Sequence, residues 1–287
     1  MASVATAAAD APIFEWYPAR LLQEQSRSPA KPYAVVVLNQ PLLSLEPTQR
    51  VWQRSKFRVA ADGGANRLHN ILPKANLDFR DLDVIVGDLD SLQPTAREYF
   101  EKESNGHATE VIHDSDQYST DFTKSVKLVR DRVPGVDIVA LGGLGGRVDQ
   151  GVSQLHHLYL FDEPRRELFS GAYRLDWSDD KGPHGRTFLL TSDSLTFLLL
   201  PGKHHIHVRE KLGDEEVFEK HIGILPMQGP SVITTKGLEW DITGWPTEFG
   251  GQMSTSNHVL PETQVVEVQT NRAVVFTIAL KEAWQDK

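Results

Sequence analysis

The sequence predicts an α/β domain built on a parallel sheet, followed by an antiparallel β-sandwich or barrel. Three observations carry that expectation. From Tyr33 to about Phe161, short β-branched runs alternate with helical patterns, as in a parallel sheet with crossover helices. A stretch rich in charge, glycine and proline follows, from Asp162 to Arg186. Beyond it strand-like runs return without convincing helices, as in a sandwich or barrel. These shifts divide the 287 residues into an N-terminal extension (1–28), an α/β domain (29–165), a linker (166–186) and a β-sandwich (187–287).

The strands expected in the first domain are Tyr33 to Leu38, Phe57 to Ala61, Val84 to Val86, Glu110 to Ile112 and Asp137 to Leu141. Pro47 sits near one helix start and Pro94 opens another, positions where a missing N–H costs little. Two further helices carry apolar residues at 4,3,4 spacing: Phe122, Val126, Val129 and Val133, then Val148, Val152, Leu155 and Tyr159. Ser119 or Thr120 can cap the first, which places Asp121 in its opening turn. Arg147 and Asp149 fall in the opening turn of the second, so Gly142 to Gly146 is a strand-to-helix loop of low bulk. The later strands are Thr187 to Leu190, Ser194 to Leu200, His204 to Val208, Ser231 to Thr235, Gln264 to Val268 and Ala273 to Leu280. At the other end, Phe14, Trp16, Tyr17, Leu21 and Leu22 can strap the N-terminal segment onto the folded body.

Composition narrows the function. The chain has no cysteine, which excludes disulfides, thiolate ligands and a cysteine nucleophile and fits a reducing compartment. Any metal must be held by oxygen or imidazole. A formal net charge of -9 argues against a general nucleic-acid binder, which presents basic faces to phosphate. No apolar run reaches the roughly 20 residues of a membrane helix, and the first residues lack the basic region of a secretory signal. The expected compartment is the cytosol.

Four short segments place an aspartate where an apolar run gives way to glycine or to a helix: Asp62-Gly63-Gly64-Ala65-Asn66, Gly87-Asp88-Leu89-Asp90-Ser91, Asp116-Gln117-Tyr118-Ser119-Thr120-Asp121 and Gly142-Gly143-Leu144-Gly145-Gly146-Arg147-Val148-Asp149. If the apolar runs are parallel strands, these carboxylates gather along one sheet edge beside turns able to admit phosphate. Extended geometry puts Asp88 and Asp90 on one side, at i and i+2, where one hard cation can bridge them. The competing reading is an ordinary turn with a helix-capping aspartate. In the glycine loop, backbone N–H groups, a helix N-terminus and the Arg147 guanidinium can converge on phosphate. The loop is neither a Walker motif nor a dinucleotide fingerprint, and helix packing alone accounts for many such loops. Lys124 reads as an exposed helical lysine, with phosphate contact as the alternative.

In the second domain, Trp240 and the run Ser254-Thr255-Ser256-Asn257 can stack on a flat heterocycle and bond its edge. Composition alone favours a core tryptophan and a polar turn. His204, His205 and His207 alternate as strand zinc ligands do, but the sequence offers no acidic or thiol partner. No Gly-X-Ser-X-Gly elbow occurs.

Taken in order, these segments resemble the thiamine pyrophosphokinase family of eukaryotes, its fungal members above all. The resemblance runs from Tyr33 to the C-terminus. It rests on Ala61 to Asn66, Gly87 to Ser91, Asp116-Gln117 with Thr120 to Lys124, Gly142 to Asp149, Gly237 to Trp240 and Ser254 to Asn257. It implies transfer of the diphosphate of ATP to the hydroxyl of thiamine, giving thiamine diphosphate and AMP with Mg2+. It implies a nucleotide site at Asp62, Gly63, Gly64, Asn66, Gln117, Gly143, Gly145, Gly146, Arg147 and Asp149. Metal would sit on Asp88, Asp90, Asp121 and Asp149, catalysis on Asp88, Asp121 and Arg147, and thiamine on Trp240, Ser254, Thr255, Ser256 and Asn257. The family's enzymes are homodimers whose cleft joins the α/β domain of one subunit to the β domain of the other. Two positions depart from the pattern: Tyr118 stands where a polar residue is common, and His258-Val259-Leu260-Pro261 replaces a continuation rich in aspartate and glycine. The acidic set by itself also suits a metal-dependent phosphohydrolase or a silent ligand sensor, which product identity separates from a diphosphotransferase.

Overall fold

The structure, a computed structural model, describes residues 12–23, 31–104, 106–162, 185–210 and 216–282. The linker expected over 166–186 lies, apart from its last two residues, outside the described residues, as does much of the expected 1–28 extension.

In chain order the elements are β1 (Ile13–Trp16), β2 (Tyr33–Val37), α1 (Leu45–Arg54), β3 (Phe57–Ala61), α2 (Gly64–Ile71), β4 (Val84–Gly87), α3 (Pro94–Glu101), β5 (Glu110–His113), α4 (Asp121–Arg132), β6 (Asp137–Leu141) and α5 (Val148–Asp162). There follow β7 (Thr187–Leu190), β8 (Ser194–Leu199), β9 (Gly202–His207), β10 (Phe218–Leu225), β11 (Ser231–Lys236), β12 (Trp245–Thr247), β13 (Ser254–His258), β14 (Val265–Thr270) and β15 (Val274–Leu280). They form two compact units, one from the described parts of residues 30–192, the other from those of 1–29 and 193–282.

The first unit is the α/β unit. Its strands lie in the order β7-β6-β2-β3-β4-β5, all pairs parallel. β2, β4, β6 and β7 are buried along their whole length, as expected of strands covered on both faces. α4 packs on β2, β3 and β4, and α2 on β2 and β3. The chain runs outward from β2 to β5, then returns to place β6 on the other side of β2. Every strand of this sheet ends at the same edge, which is where open α/β sheets form their sites.

Two expectations are corrected here. Thr187 to Leu190 is not part of the antiparallel set; β7 pairs in parallel with β6, from Ile138↔Thr187 to Leu141↔Leu190. The buried Asp162 carboxylate at the end of α5 accepts from both the Thr187 N–H (2.8 Å) and hydroxyl (2.7 Å), which fixes the strand in register. The second correction concerns α5. Its buried face carries Gln154, His157, Leu158 and Phe161, whereas Val148 and Val152 are exposed. The 4,3,4 stripe therefore turns away from the core, while that of α4 is buried at Phe122, Val126 and Val129.

The β-rich unit holds two sheets, in the orders β1-β9-β14-β11-β12 and β13-β10-β15-β8. All their pairs are antiparallel except β1 on β9. β1 is strapped down by the histidines of β9. The Trp16 indole donates to His204 Nδ1 (3.0 Å), so Nε2 carries the proton and donates to the Leu200 carbonyl (2.7 Å). Phe14 and Trp16 flank the buried His204 ring, and Trp16 also stacks on Phe197. Glu15 accepts from His205 and His207, the acidic partner that local sequence did not reveal. These histidines bind a strand.

Trp16→Ala is expected to destabilise the β-rich unit by about 3–5 kcal/mol, the usual cost of emptying a large aromatic site. Glu15→Gln, at an exposed pair, should cost under about 1 kcal/mol. Urea denaturation of the two variants measures both.

Candidate active site

Three carboxylates meet at the C-terminal edge of the parallel sheet. Asp62 follows β3, Asp88 follows β4, and Asp121 opens α4; each offers an oxygen, and these oxygens all lie within 4.8 Å of one another. Gly87 makes room for them, because a Cβ there would fall 2.7 Å from the Asp62 Cβ and 3.0 Å from Asp121 Oδ1. Asp62 takes a left-handed backbone (φ 44°), which aspartate tolerates better than most residues. Its Oδ2 accepts from the Ser91 N–H at 3.1 Å, while its buried Oδ1 has no hydrogen-bond partner among the described residues. Burial, then the neighbouring Asp121, raises the Asp62 pKa. Burial likewise raises that of Asp121, against the opposing pull of Lys124. A half-buried like-charged trio with one orphaned oxygen suits a hard divalent cation, which takes oxygen ligands.

Lys124 is buried, contrary to the exposed position expected of it. Its ammonium donates to the Asp114 carbonyl (2.9 Å) and to Asp121 Oδ1 (3.2 Å), tying the loop after β5 to the first turn of α4. Thr120 caps that helix by accepting from the Thr123 N–H at 3.2 Å.

Asp90 does not share a strand face with Asp88. β4 ends at Gly87, and Leu89 turns left-handed (φ 61°). The Asp90 N–H folds back to Asp88 Oδ1 (3.3 Å), and the Asp90 carboxylate accepts from the Ser91 hydroxyl. Gln117 reaches the site, donating to Asp88 Oδ2 at 3.2 Å, and this hydrogen bond lowers the Asp88 pKa.

Asp149 also lies outside the trio. β2 separates β6 from β3, so at ~4.8 Å per strand the loop after β6 starts about 10 Å away. There Asp149 takes both hydrogen bonds from the exposed Arg147 guanidinium, from Nε at 3.1 Å and Nη2 at 2.6 Å. Gly145 and Gly146 adopt φ of 120° and 66°, a path that L side chains resist, and Gly143 is buried beneath them. Asn66 is spent on the fold: its amide donates to the Ser91 carbonyl (2.7 Å) and accepts from the Gln93 N–H (2.9 Å). Gly63 and Gly64 are buried at the start of α2, where a Cβ on Gly64 would sit 2.1 Å from the Val37 carbonyl oxygen.

In the β-rich unit Trp240 is not a core residue; it is 55% exposed. Its backbone is gripped by Asn257, which accepts from the Trp240 N–H (3.2 Å) and donates to its carbonyl (3.0 Å). Asp241 closes the preceding turn by accepting from the Gly237 and Leu238 N–H groups. His258 lies against the indole at 5.1 Å and pairs with Glu239. Ser254, Thr255 and Ser256 line β13, with Ser256 left-handed at φ 54°.

Comparison with known proteins decides what this arrangement belongs to. Residues 48–169 match the model of the thiamin pyrophosphokinase catalytic domain, and residues 203–275 that of the thiamin pyrophosphokinase vitamin B1 binding domain. The chain belongs to the thiamine pyrophosphokinase family. It is 34% identical over 265 residues to thiamine pyrophosphokinase 3 of Oryza sativa subsp. japonica, covering 87% of each chain. In fold it is similar to yeast thiamin pyrophosphokinase (TM-score 0.76, 22% identity, 94% of this chain and 92% of that one). It is also similar in fold to the Candida albicans protein (TM-score 0.73, 23% identity, 97% and 96%). As a thiamine pyrophosphokinase the chain is a transferase that forms thiamine diphosphate from thiamine at the expense of ATP. The catalytic-domain match contains the carboxylate trio, and the vitamin B1 binding match contains Trp240 and β13.

Sequence reasoning missed the burial of Lys124, whose i+3 spacing from Asp121 was the available signal. It gathered Asp62 with the other strand-end carboxylates but left it out of the expected metal set, whereas the structure brings it within reach of Asp88 and Asp121.

The raised Asp62 pKa fixes a sign. The folded chain binds this proton more readily than the unfolded one, so stability falls as pH rises from the ordinary aspartate range through the raised folded pKa. Asp62→Asn is expected to raise the metal-free Tm at pH 7, with the gain shrinking toward about pH 4, the ordinary aspartate range. A lower Tm at pH 7 would mean that the Ser91 hydrogen bond outweighs the cost of burial.

Proposed function

We propose that the α/β unit binds ATP and Mg2+ at the trio of Asp62, Asp88 and Asp121, and that the β-rich unit presents thiamine from the face bearing Trp240. The observation that carries this reading is the meeting of three carboxylates, one with an orphaned buried oxygen, at the end of a parallel sheet. Bound there, Mg2+ would supply positive charge to the phosphate oxygens and offset the repulsion within the trio.

The reaction is in-line attack of the thiamine hydroxyl on the β-phosphorus of ATP. The new O–P bond forms as the bond to AMP breaks, and the hydroxyl proton leaves to a nearby base, for which Asp121 is the candidate. In a loose transition state that proton matters little, so the chain acts chiefly by position and charge. Arg147, released from its exposed pairing with Asp149, would close on the transferred diphosphate. The N–H groups of the glycine loop would hold the phosphates from below. Gln117 orients Asp88 through the bond described above. On the thiamine side, the exposed Trp240 indole offers a face for a cationic ring, with Ser254, Thr255 and Ser256 beside it. Asn257 acts by holding the Trp240 backbone. Asp90 supports Ser91 and through it the loop that contacts Asp62. We also assign the working form as a homodimer whose active sites each draw on both subunits, to be checked by light scattering.

A chromatographic assay with ATP, Mg2+ and thiamine should yield AMP and thiamine diphosphate in equal amounts, each dependent on thiamine. ADP, or phosphate released without thiamine, would replace this reading with another kinase or a hydrolase. Asp88→Asn should lower turnover by roughly a hundredfold or more, the scale of lost charge stabilisation at a reacting centre. Trp240→Ala should raise the KM for thiamine and leave that for ATP unchanged. Near-normal turnover in the first variant, or a stability loss without a KM change in the second, would remove the residue from its role.

A further inference from the structure

We infer that His157, on α5, is a positioning residue for Asp121, acting through the capping hydroxyl of Thr120. This inference rests on the reading of Asp121 as part of the metal site. His157 is buried, and its two ring nitrogens have separate partners. Nδ1 lies 2.6 Å from the Ser153 carbonyl and Nε2 2.8 Å from Thr120 Oγ1. A carbonyl only accepts, so Nδ1 carries the proton. Burial takes the pKa of His157 down to about 4, so the ring is neutral at working pH and Nε2 is left as an acceptor.

The Thr120 hydroxyl must then donate to His157. With its one proton spent, Thr120 Oγ1 is purely an acceptor toward α4. It takes the Thr123 N–H at 3.2 Å and the Thr123 hydroxyl at 3.1 Å. The cap is thus saturated and has a single orientation. Asp121 is the next residue, and its carboxylate is held from the other side by Lys124. A chain of hydrogen bonds therefore runs from the helix that follows the glycine loop, through His157 and Thr120, to the backbone that aims Asp121. Groups behind metal-binding side chains commonly control affinity in this way.

The ring packs against Phe122 and Phe161, each with its centroid 5.2 Å away, so His157→Phe keeps an aromatic ring among them while deleting its hydrogen bonds. Mn2+ binding to the protein alone, followed by electron paramagnetic resonance, is the first readout. Thiamine diphosphate formation against Mg2+ concentration is the second. His157→Phe and Thr120→Val should each weaken Mn2+ binding by roughly tenfold, as loss of a supporting hydrogen bond does elsewhere. Both should raise the Mg2+ requirement and leave the KM for thiamine unchanged. The double variant should be no worse than the weaker single one, since both break one chain, and Thr120→Ser should restore wild-type values.

Leu158→Ala, at a fully buried neighbour on α5, controls for general loosening of the helix, with a lower Tm and unchanged Mn2+ binding expected. Unchanged Mn2+ binding in His157→Phe, additive losses in the double variant, or an equal loss of binding in Leu158→Ala would each overturn the inference. Wild-type protein that binds Mn2+ through Asp62 but forms no thiamine diphosphate would count against the proposed reaction alone, and His157 would still be judged by binding.

Discussion

Three carboxylates held within one small region repel each other, and much of the local detail of the α/β unit follows from keeping them there. Burial raises the cost of charge on Asp62 and Asp121, and each remedy is visible nearby. Lys124 supplies a buried counter-charge to Asp121, Gln117 and the Asp90 N–H support Asp88, and the Ser91 N–H supports Asp62. What remains unmet among the described residues is Asp62 Oδ1. Such an atom costs stability, and on the proposed reading a bound cation would offset that cost.

The sheet determines who belongs to this group. β3, β4 and β5 are neighbours, so the residues that follow them converge. β6 lies beyond β2, and its loop brings glycine N–H groups and Arg147 to a separate place along the same edge. On the proposed reading a polyphosphate spans both, with charge neutralised at one and N–H groups and a guanidinium at the other. In the β-rich unit, Asn257 and Asp241 spend their polar groups on turns, which leaves the Trp240 indole exposed.

Much of this was legible in the sequence. The strands Phe57–Ala61, Asp137–Leu141 and Thr187–Leu190 follow from β-branched and apolar runs, and the Thr120 cap follows from its hydroxyl before a helical stripe. Pairing partners were not legible. Thr187 to Leu190 reads the same beside β6 as in an antiparallel sheet, and its place comes from the buried Asp162. β1, β10, β12 and β13 escaped notice because their polar or short runs, such as Phe-Glu-Lys-His and Ser-Thr-Ser-Asn-His, lack the expected alternation. The stripe on α5 has the right period and faces the wrong way, since period reports amphipathicity without naming the side that is covered.

By itself the sequence determined the motifs, their order and the chemistry they permit, because residue type and local spacing are properties of the chain. It placed aspartates at strand ends, a glycine loop before a helix and an acidic set with no thiol. Only the tertiary structure decided that Asp62 joins Asp88 and Asp121 while Asp90 and Asp149 do not. Membership depends on a left-handed turn at Leu89 and on strand order across the sheet. Strand order is set by pairing between segments far apart in sequence, where local pattern carries no information, and the turn at Leu89 shows only in the folded backbone.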